Sequence, residues 1–141
     1  MKKLLLYFLL FLTTVGCREK TLSPKELQPL VDKWRYAAYE KIVNGNKVWQ
    51  DTDSLSPSFI SFRFDGVVLD SQGLPRCCAP SALNINGKKF EINPKAEVPR
   101  NPTCDYIDCM TCSVWNIDLK GDTFVLESCV NGLRYKYVRA N

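Results

Sequence analysis

Apolar and polar residues alternate with period two through much of the chain beyond Trp34. Phe62 and Phe64, Phe90 and Ile92, Trp115, Ile117 and Leu119, Phe124 and Leu126, and Leu133, Tyr135 and Tyr137 each fall on one side of an extended run. Arg63, Lys89, Glu91, Asn116, Asp118, Glu127, Arg134 and Lys136 fall on the other. Alternation of this kind is the mark of a strand with one buried face. It predicts strands over 34–43, 47–51, 58–64, 67–70, 83–85, 88–92, 113–119, 123–129 and 133–139. Asn44-Gly45, Asp65-Gly66, Asn86-Gly87, Lys120-Gly121-Asp122 and Asn131-Gly132 separate consecutive runs, and these turn residues accept positive φ at little cost. The expected topology is therefore a run of hairpins. A meander with one buried face most simply closes on itself, which removes its exposed edges. The expectation is an all-β, antiparallel up-and-down barrel of about eight strands, with a two-sheet sandwich as the alternative.

Ahead of the strands, Ser23, Pro24 and Glu26 have the spacing of a helix start: an N-cap, a proline at the first helical position and a capping-box glutamate. Pro29 limits that helix to a turn or two. Between the sixth and seventh strands, Asn93-Pro94, Val98-Pro99 and Asn101-Pro102 argue for a loop over 93–111.

The amino terminus follows a different rule. Lys2 and Lys3 precede an uncharged run over 4–12, too short for the roughly 20 apolar residues of a membrane span but suited to the about 7–15 of a secretory signal. Val15-Gly16-Cys17 resembles the lipobox of bacterial lipoproteins, with Thr14 where that pattern prefers Leu. The resemblance implies a signal peptide over 1–16, diacylglyceryl modification of Cys17, a lipid-anchored tether over 17–29 and a domain over 30–141. An ordinary secretory cut near Gly16 is the alternative. Two or more acyl chains anchor firmly where one is marginal. Arg18-Glu19-Lys20 follows the cysteine without an Asp at its first position or an acidic run. In the lipoprotein families this favours the periplasmic face of the outer membrane within the bacterial cell envelope.

Charge and composition narrow the chemistry. Nineteen basic against fifteen acidic residues give a net charge of +4, and they are interspersed, so no basic stripe for nucleic acid is expected. Histidine is absent from the sequence, which removes Ser-His-Asp and Cys-His catalysis and histidine-based zinc sites. No dinucleotide or phosphate-loop pattern occurs. Asp51 with Asp53 and Asp105 with Asp108 read as solvated turn formers, not as a catalytic carboxylate pair. The expectation is a non-enzymatic protein without a cofactor.

A short helix, Trp34 opening the first strand, the stretch FRFDGVV and the closing FVLESCVNGLRYKYVR together resemble the lipocalin-like domains of small bacterial lipoproteins. The lipocalin Gly-x-Trp signature is not matched, because Val31-Asp32-Lys33 precedes Trp34. The resemblance implies a small barrel that takes an apolar ligand or meets an envelope protein. Trp34, Phe62, Phe64, Phe90, Trp115, Phe124, Tyr135 and Tyr137 are the candidate cavity lining. An eight-stranded barrel is either filled by its own side chains or holds one small ligand. So many bulky aromatics favour a filled or nearly filled interior, with a ligand cleft at the mouth as the alternative, and Trp34 as a plug at its floor.

Seven cysteines complete the picture. Cys77, Cys78, Cys104, Cys109, Cys112 and Cys129 form an even set in a chain addressed to an oxidising compartment, so three disulfides are expected, with fifteen connectivities open. Adjacent Cys77 and Cys78 would be strained as a mutual pair, so each is expected to reach elsewhere. A bridge from the 93–111 loop to Cys129 would pin that loop to the barrel wall. Cys17 is the odd one, which fits an anchor. Cys109-Met110-Thr111-Cys112 is also a CxxC motif, and two thiolates with a thioether suit Cu(I). Copper-resistance lipoproteins with CxxC on a lipocalin-like barrel are similar in that respect. A thiol- or copper-responsive lipoprotein using Cys109, Met110 and Cys112 is therefore an alternative function. A further alternative is an inhibitor of a secreted hydrolase, with the 93–111 loop as its plug.

Overall fold

A computed structural model describes residues 20–110 and 112–140. The proposed signal peptide and Cys17 lie outside the described residues. One short helix, α1 (Pro24–Leu27), precedes nine strands: β1 (Lys33–Val43), β2 (Asn46–Asp51), β3 (Phe59–Phe62), β4 (Val68–Leu69), β5 (Ala82–Ile85), β6 (Lys88–Glu91), β7 (Val114–Lys120), β8 (Thr123–Glu127) and β9 (Arg134–Arg139). The five expected hairpins form, pairing β1 with β2, β3 with β4, β5 with β6, β7 with β8, and β8 with β9. Asn44-Gly45 and Asn86-Gly87 both carry positive φ at each residue, the backbone a two-residue hairpin turn needs.

The strands make one curled sheet, a half-barrel in the order β4-β3-β1-β9-β8-β7-β5-β6, with β2 against the outer part of β1. This corrects the expected antiparallel up-and-down barrel in two respects. β7 pairs with β5 rather than β6, and it does so in parallel, Leu83 beside Trp115 and Ile85 beside Ile117. A parallel neighbour requires a long crossover, and the proline-punctuated segment between β6 and β7 supplies one. The sheet is consequently open, ending at β4 and β6. Along β6 the chain ahead of α1 takes the vacant pairing positions: Leu22 N–H donates to Lys89 O at 2.7 Å, and Lys89 N–H to Lys20 O at 2.9 Å.

Residues 20–29, offered by the sequence as tether, are thus partly packed. The capping box of Ser23 and Glu26 is present at α1, and Leu27 and Leu30 are fully buried. Trp34 closes this end of the half-barrel. Its indole N–H donates to Leu30 O at 2.9 Å, its ring meets Phe124 edge-on at 4.9 Å, and the Arg139 guanidinium lies 4.5 Å from its centroid. Ile60, Phe62, Val68, Leu83, Phe90, Ile117 and Phe124 fill the space above it.

Two local departures from strict alternation have physical causes. β3 stops at Phe62 because Arg63 begins a tight turn, with Gly66 N–H donating to Arg63 O and Arg63 N–H to Val67 O, both at 2.9 Å. Phe64 therefore stands on that turn, about half exposed, and not on the buried face with Phe62. In β1 the pairing with β9 slips between Tyr36 and Ala38, so that Tyr36 faces Tyr137 and Tyr39 faces Tyr135. Such a bulge switches the face of the residues beyond it. That slip brings Glu40 beside Trp49 of β2 and against Arg134 of β9, where only 2 % of it is exposed. Arg134 Nε donates to Glu40 Oε1 at 2.8 Å, a second guanidinium nitrogen contacts the same oxygen, and Arg134 also lies 5.5 Å over the Trp49 ring.

Candidate functional site

At the end of the half-barrel away from Trp34, the packed core gives way to an open cleft of about 450 Å³. β1 contributes Tyr36, β7 Trp115, β8 Leu126, and β9 Tyr135 and Tyr137. Each is placed by the period-two rule on the face that lower down holds the core, so the cleft continues the core where side chains no longer fill it. Tyr36 lies 5.3 Å from Tyr137 and 6.2 Å from Tyr135 between ring centroids, and Tyr137 stacks on Phe124 at 4.7 Å. The three tyrosines therefore form a ledge resting on the core aromatics.

Arg76, Cys77, Cys78 and Cys112 add to the lining. The disulfides are Cys77–Cys104, Cys78–Cys109 and Cys112–Cys129. As expected, the adjacent pair reaches outward to separate partners, and Cys78 is held at φ +59°, a conformation that L residues seldom adopt. Two of the bonds tie Cys104 and Cys109 of the long loop to the two residues that follow Arg76. The third joins the start of β7 to the β8–β9 connection. Asn101 reinforces the arrangement from within: its Nδ2 donates to Asp70 Oδ2 and Pro75 O at 3.1 and 2.9 Å, and its Oδ1 accepts from Thr103 N–H at 3.1 Å. Arg76 N–H donates to Val68 O at 2.9 Å, fixing the arginine to the sheet edge.

The electrostatics favour neutral phenols beside a cation. Burial pushes the Tyr36 hydroxyl up to about 12, and neighbouring Tyr137, Tyr135 and Tyr39 add to the effect. Burial also raises Tyr137, an effect that nearby Arg76 partly opposes. Both phenols are protonated throughout the neutral range. The Arg76 guanidinium lies 5.9 Å from the Trp115 centroid. Among the described residues it makes no salt bridge, whereas Arg63, Arg100, Arg134 and Arg139 each contact a carboxylate.

The sequence-derived lining residues divide between three places. Trp115, Tyr135 and Tyr137 line this cleft, while Trp34, Phe62 and Phe124 lie in the packed core. Phe64 and Phe90 border a second pocket, of about 460 Å³, with Leu22 and Pro24 of the amino-terminal segment. Tyr36 and Arg76 were not singled out by sequence reasoning. Tyr36 carried a signal, being two residues from Trp34 on one strand. Arg76 carried only its position next to Cys77.

Cys109 and Cys112 do not pair with each other, and both sulfurs of the motif are engaged in disulfides to Cys78 and Cys129. Met110 between them is exposed. Among the described residues, no group of three or more Cys, Asp or Glu side chains is placed to hold a metal ion. No helix among them is long and apolar enough to cross a membrane.

Fold and site together define a class: a disulfide-bonded β half-barrel whose floor is packed and whose mouth is an aromatic cleft. No protein-family model matches the chain, and neither a curated protein nor a solved structure matches it.

Proposed function

We propose that this protein is a lipid-anchored envelope lipoprotein of the lipocalin-like kind, non-enzymatic, that binds a small ligand with an apolar body at the mouth of its half-barrel. The cleft carries this reading. Its volume of about 450 Å³ lies within the range of roughly 300–1,000 Å³ usual for small-molecule sites, and aromatic walls with a few polar groups are what such sites present. Three disulfides border it, so its walls are set before a ligand arrives, which reduces the ordering cost of binding. The lipobox resemblance at Cys17 supports the anchor, and an anchor leaves the cleft free to face the aqueous side.

Native mass spectrometry of gently extracted protein tests the binding reading. A co-purifying small molecule, lost when Tyr36 and Tyr135 are both replaced by alanine, is the expected result. An unliganded mass, together with no response of tryptophan fluorescence to any apolar probe, would overturn it. The anchor is tested separately: labelled fatty acid should enter the protein and should not enter a Cys17→Ser variant, and incorporation into neither would remove it.

A second reading has its own observation. Tyr106 is 91 % exposed on the short helical turn Pro102–Tyr106, between Cys104 and Cys109, whose disulfides hold the loop from both sides. A rigid, exposed aromatic is the sort of anchor that protein partners bury. On this reading the loop docks an envelope protein or plugs a secreted hydrolase, and Tyr106→Ala would abolish capture of that partner while leaving cleft binding intact.

A further inference from the structure

The cleft has a polarity that the general reading leaves unused. Its side-chain hydrogen-bonding groups are one cation, Arg76, one carboxylate, Glu127, and the hydroxyls of three tyrosines, Ser58 and Ser128, which can donate as well as accept. Among the described residues the Arg76 guanidinium makes no salt bridge, and since no buried side-chain N or O atom lacks a hydrogen-bond partner, the hydroxyls of Tyr36, Tyr135 and Tyr137, which bond to no described residue, are open to solvent. Asp70, the acid in the shallow hollow behind Arg76, has its oxygens occupied: Oδ1 accepts from Gln72 and Leu74 N–H at 2.9 and 3.0 Å, and Oδ2 from Asn101. Glu127, at the rim, also borders the outer face beside Asn116, Asp118 and Arg134, and it acts electrostatically on Arg134. A cation without a carboxylate partner among the described residues, and phenols with no protein partner, therefore stand beside flat aromatic surfaces.

We infer that the ligand of this cleft is a small planar carboxylate, its anionic group on Arg76 and the tyrosine hydroxyls and its ring system against Trp115 and the tyrosine ledge. A guanidinium meets a carboxylate with two parallel N–H···O bonds, and charge-assisted bonds of this kind are about twice as strong as neutral ones. The phenols remain protonated at neutral pH, so they add donors without adding repulsion. The aromatic faces favour stacking of a flat body over an alkyl chain. The backbone that carries Arg76 is already set, because the residues that follow it are locked by Cys77–Cys104 and Cys78–Cys109. This assignment rests on the proposed role of the cleft as a ligand site.

The test is isothermal titration of the full-length, detergent-extracted protein, with protein-free micelles as the blank and three probes: 2-naphthoate, 2-naphthalenemethanol and laurate. Naphthoate should bind about tenfold or more tightly than the neutral alcohol, in keeping with one charge-assisted contact. Arg76→Gln should erase that preference, and Arg76→Lys should restore part of it. Unchanged disulfide mapping and melting temperature would show that these variants fold. Equal binding of naphthoate and alcohol to the wild type would overturn the anionic assignment and leave the ligand cleft standing. Tighter binding of laurate would overturn the planar body. Failure of all three probes to bind would count against the cleft as a ligand site altogether.

Discussion

Asp65 shows how one buried charge organises a neighbourhood. It is 3 % exposed, yet its carboxylate accepts from Arg63 Nε at 3.0 Å, from Lys95 N–H at 2.8 Å and from Val67 N–H at 3.4 Å. Arg63, so held, donates onward to Ala96 O and Glu97 O, fastening the start of the crossover loop. The Arg63 guanidinium, with the backbone donors, draws the Asp65 carboxyl down to about 2. Its unfolded value is near 3.9, so the stabilisation is complete above about pH 4 and is lost as pH falls toward about 2. The shift corresponds to roughly 2–3 kcal/mol. Urea melts between pH 2 and 5 should show this slope in the wild type and a flatter one in Asp65→Asn, which is also less stable at pH 7. Glu40 is a parallel case on the outer face, where Arg134 holds the carboxyl below its usual range despite burial. Glu40→Ala should cost about 1–3 kcal/mol by equilibrium unfolding, since it strips Arg134 of its partner. Neither burial is legible in an alternating pattern, which marks Asp65 as a turn residue and Glu40 as a charge on a strand.

At the scale of elements, the β3–β4 turn is the tightest joint. Gly66 has φ +84°, and a Cβ built there would stand 2.7 Å from the Phe90 ring. Both the left-handed backbone and the contact oppose a side chain, and Phe90 cannot retreat far because it is buried in the core. Gly66→Ala should destabilise the protein by about 2–4 kcal/mol in chemical denaturation, more than the same change at Gly45, where the added atom meets nothing. The five hairpins were readable because each signal is local, a turn dipeptide between two alternating runs. Phe64 was misplaced for the same local reason. Alternation runs on through Arg63, but the hydrogen bonds that end β3 override it.

For the whole molecule, the crossover from β6 to β7 decides the architecture. It changes an expected closed meander into an open, mixed half-barrel, and the disulfides hold the result. Cys112–Cys129 spans 17 residues and joins the entry of β7 to the β8–β9 connection. Replacing both cysteines by serine should cost about 3 kcal/mol and loosen the cleft wall, measured as a lower melting temperature and weaker ligand binding together. Peptide mapping of non-reduced protein should return 77–104, 78–109 and 112–129. A 109–112 bond would instead restore the CxxC reading.

The sequence by itself determined the strands, five of their pairings, the capped helix at Ser23 and an even set of six cysteines, because propensity, turn chemistry and redox parity act over short distances or by counting. Tertiary structure alone decided which strand lies beside β7, which cysteine meets which, and that Arg76 lines one cleft with Tyr36, Tyr135 and Tyr137. Those depend on where a long loop returns in space, a matter of packing between segments far apart in the chain that no local pattern encodes.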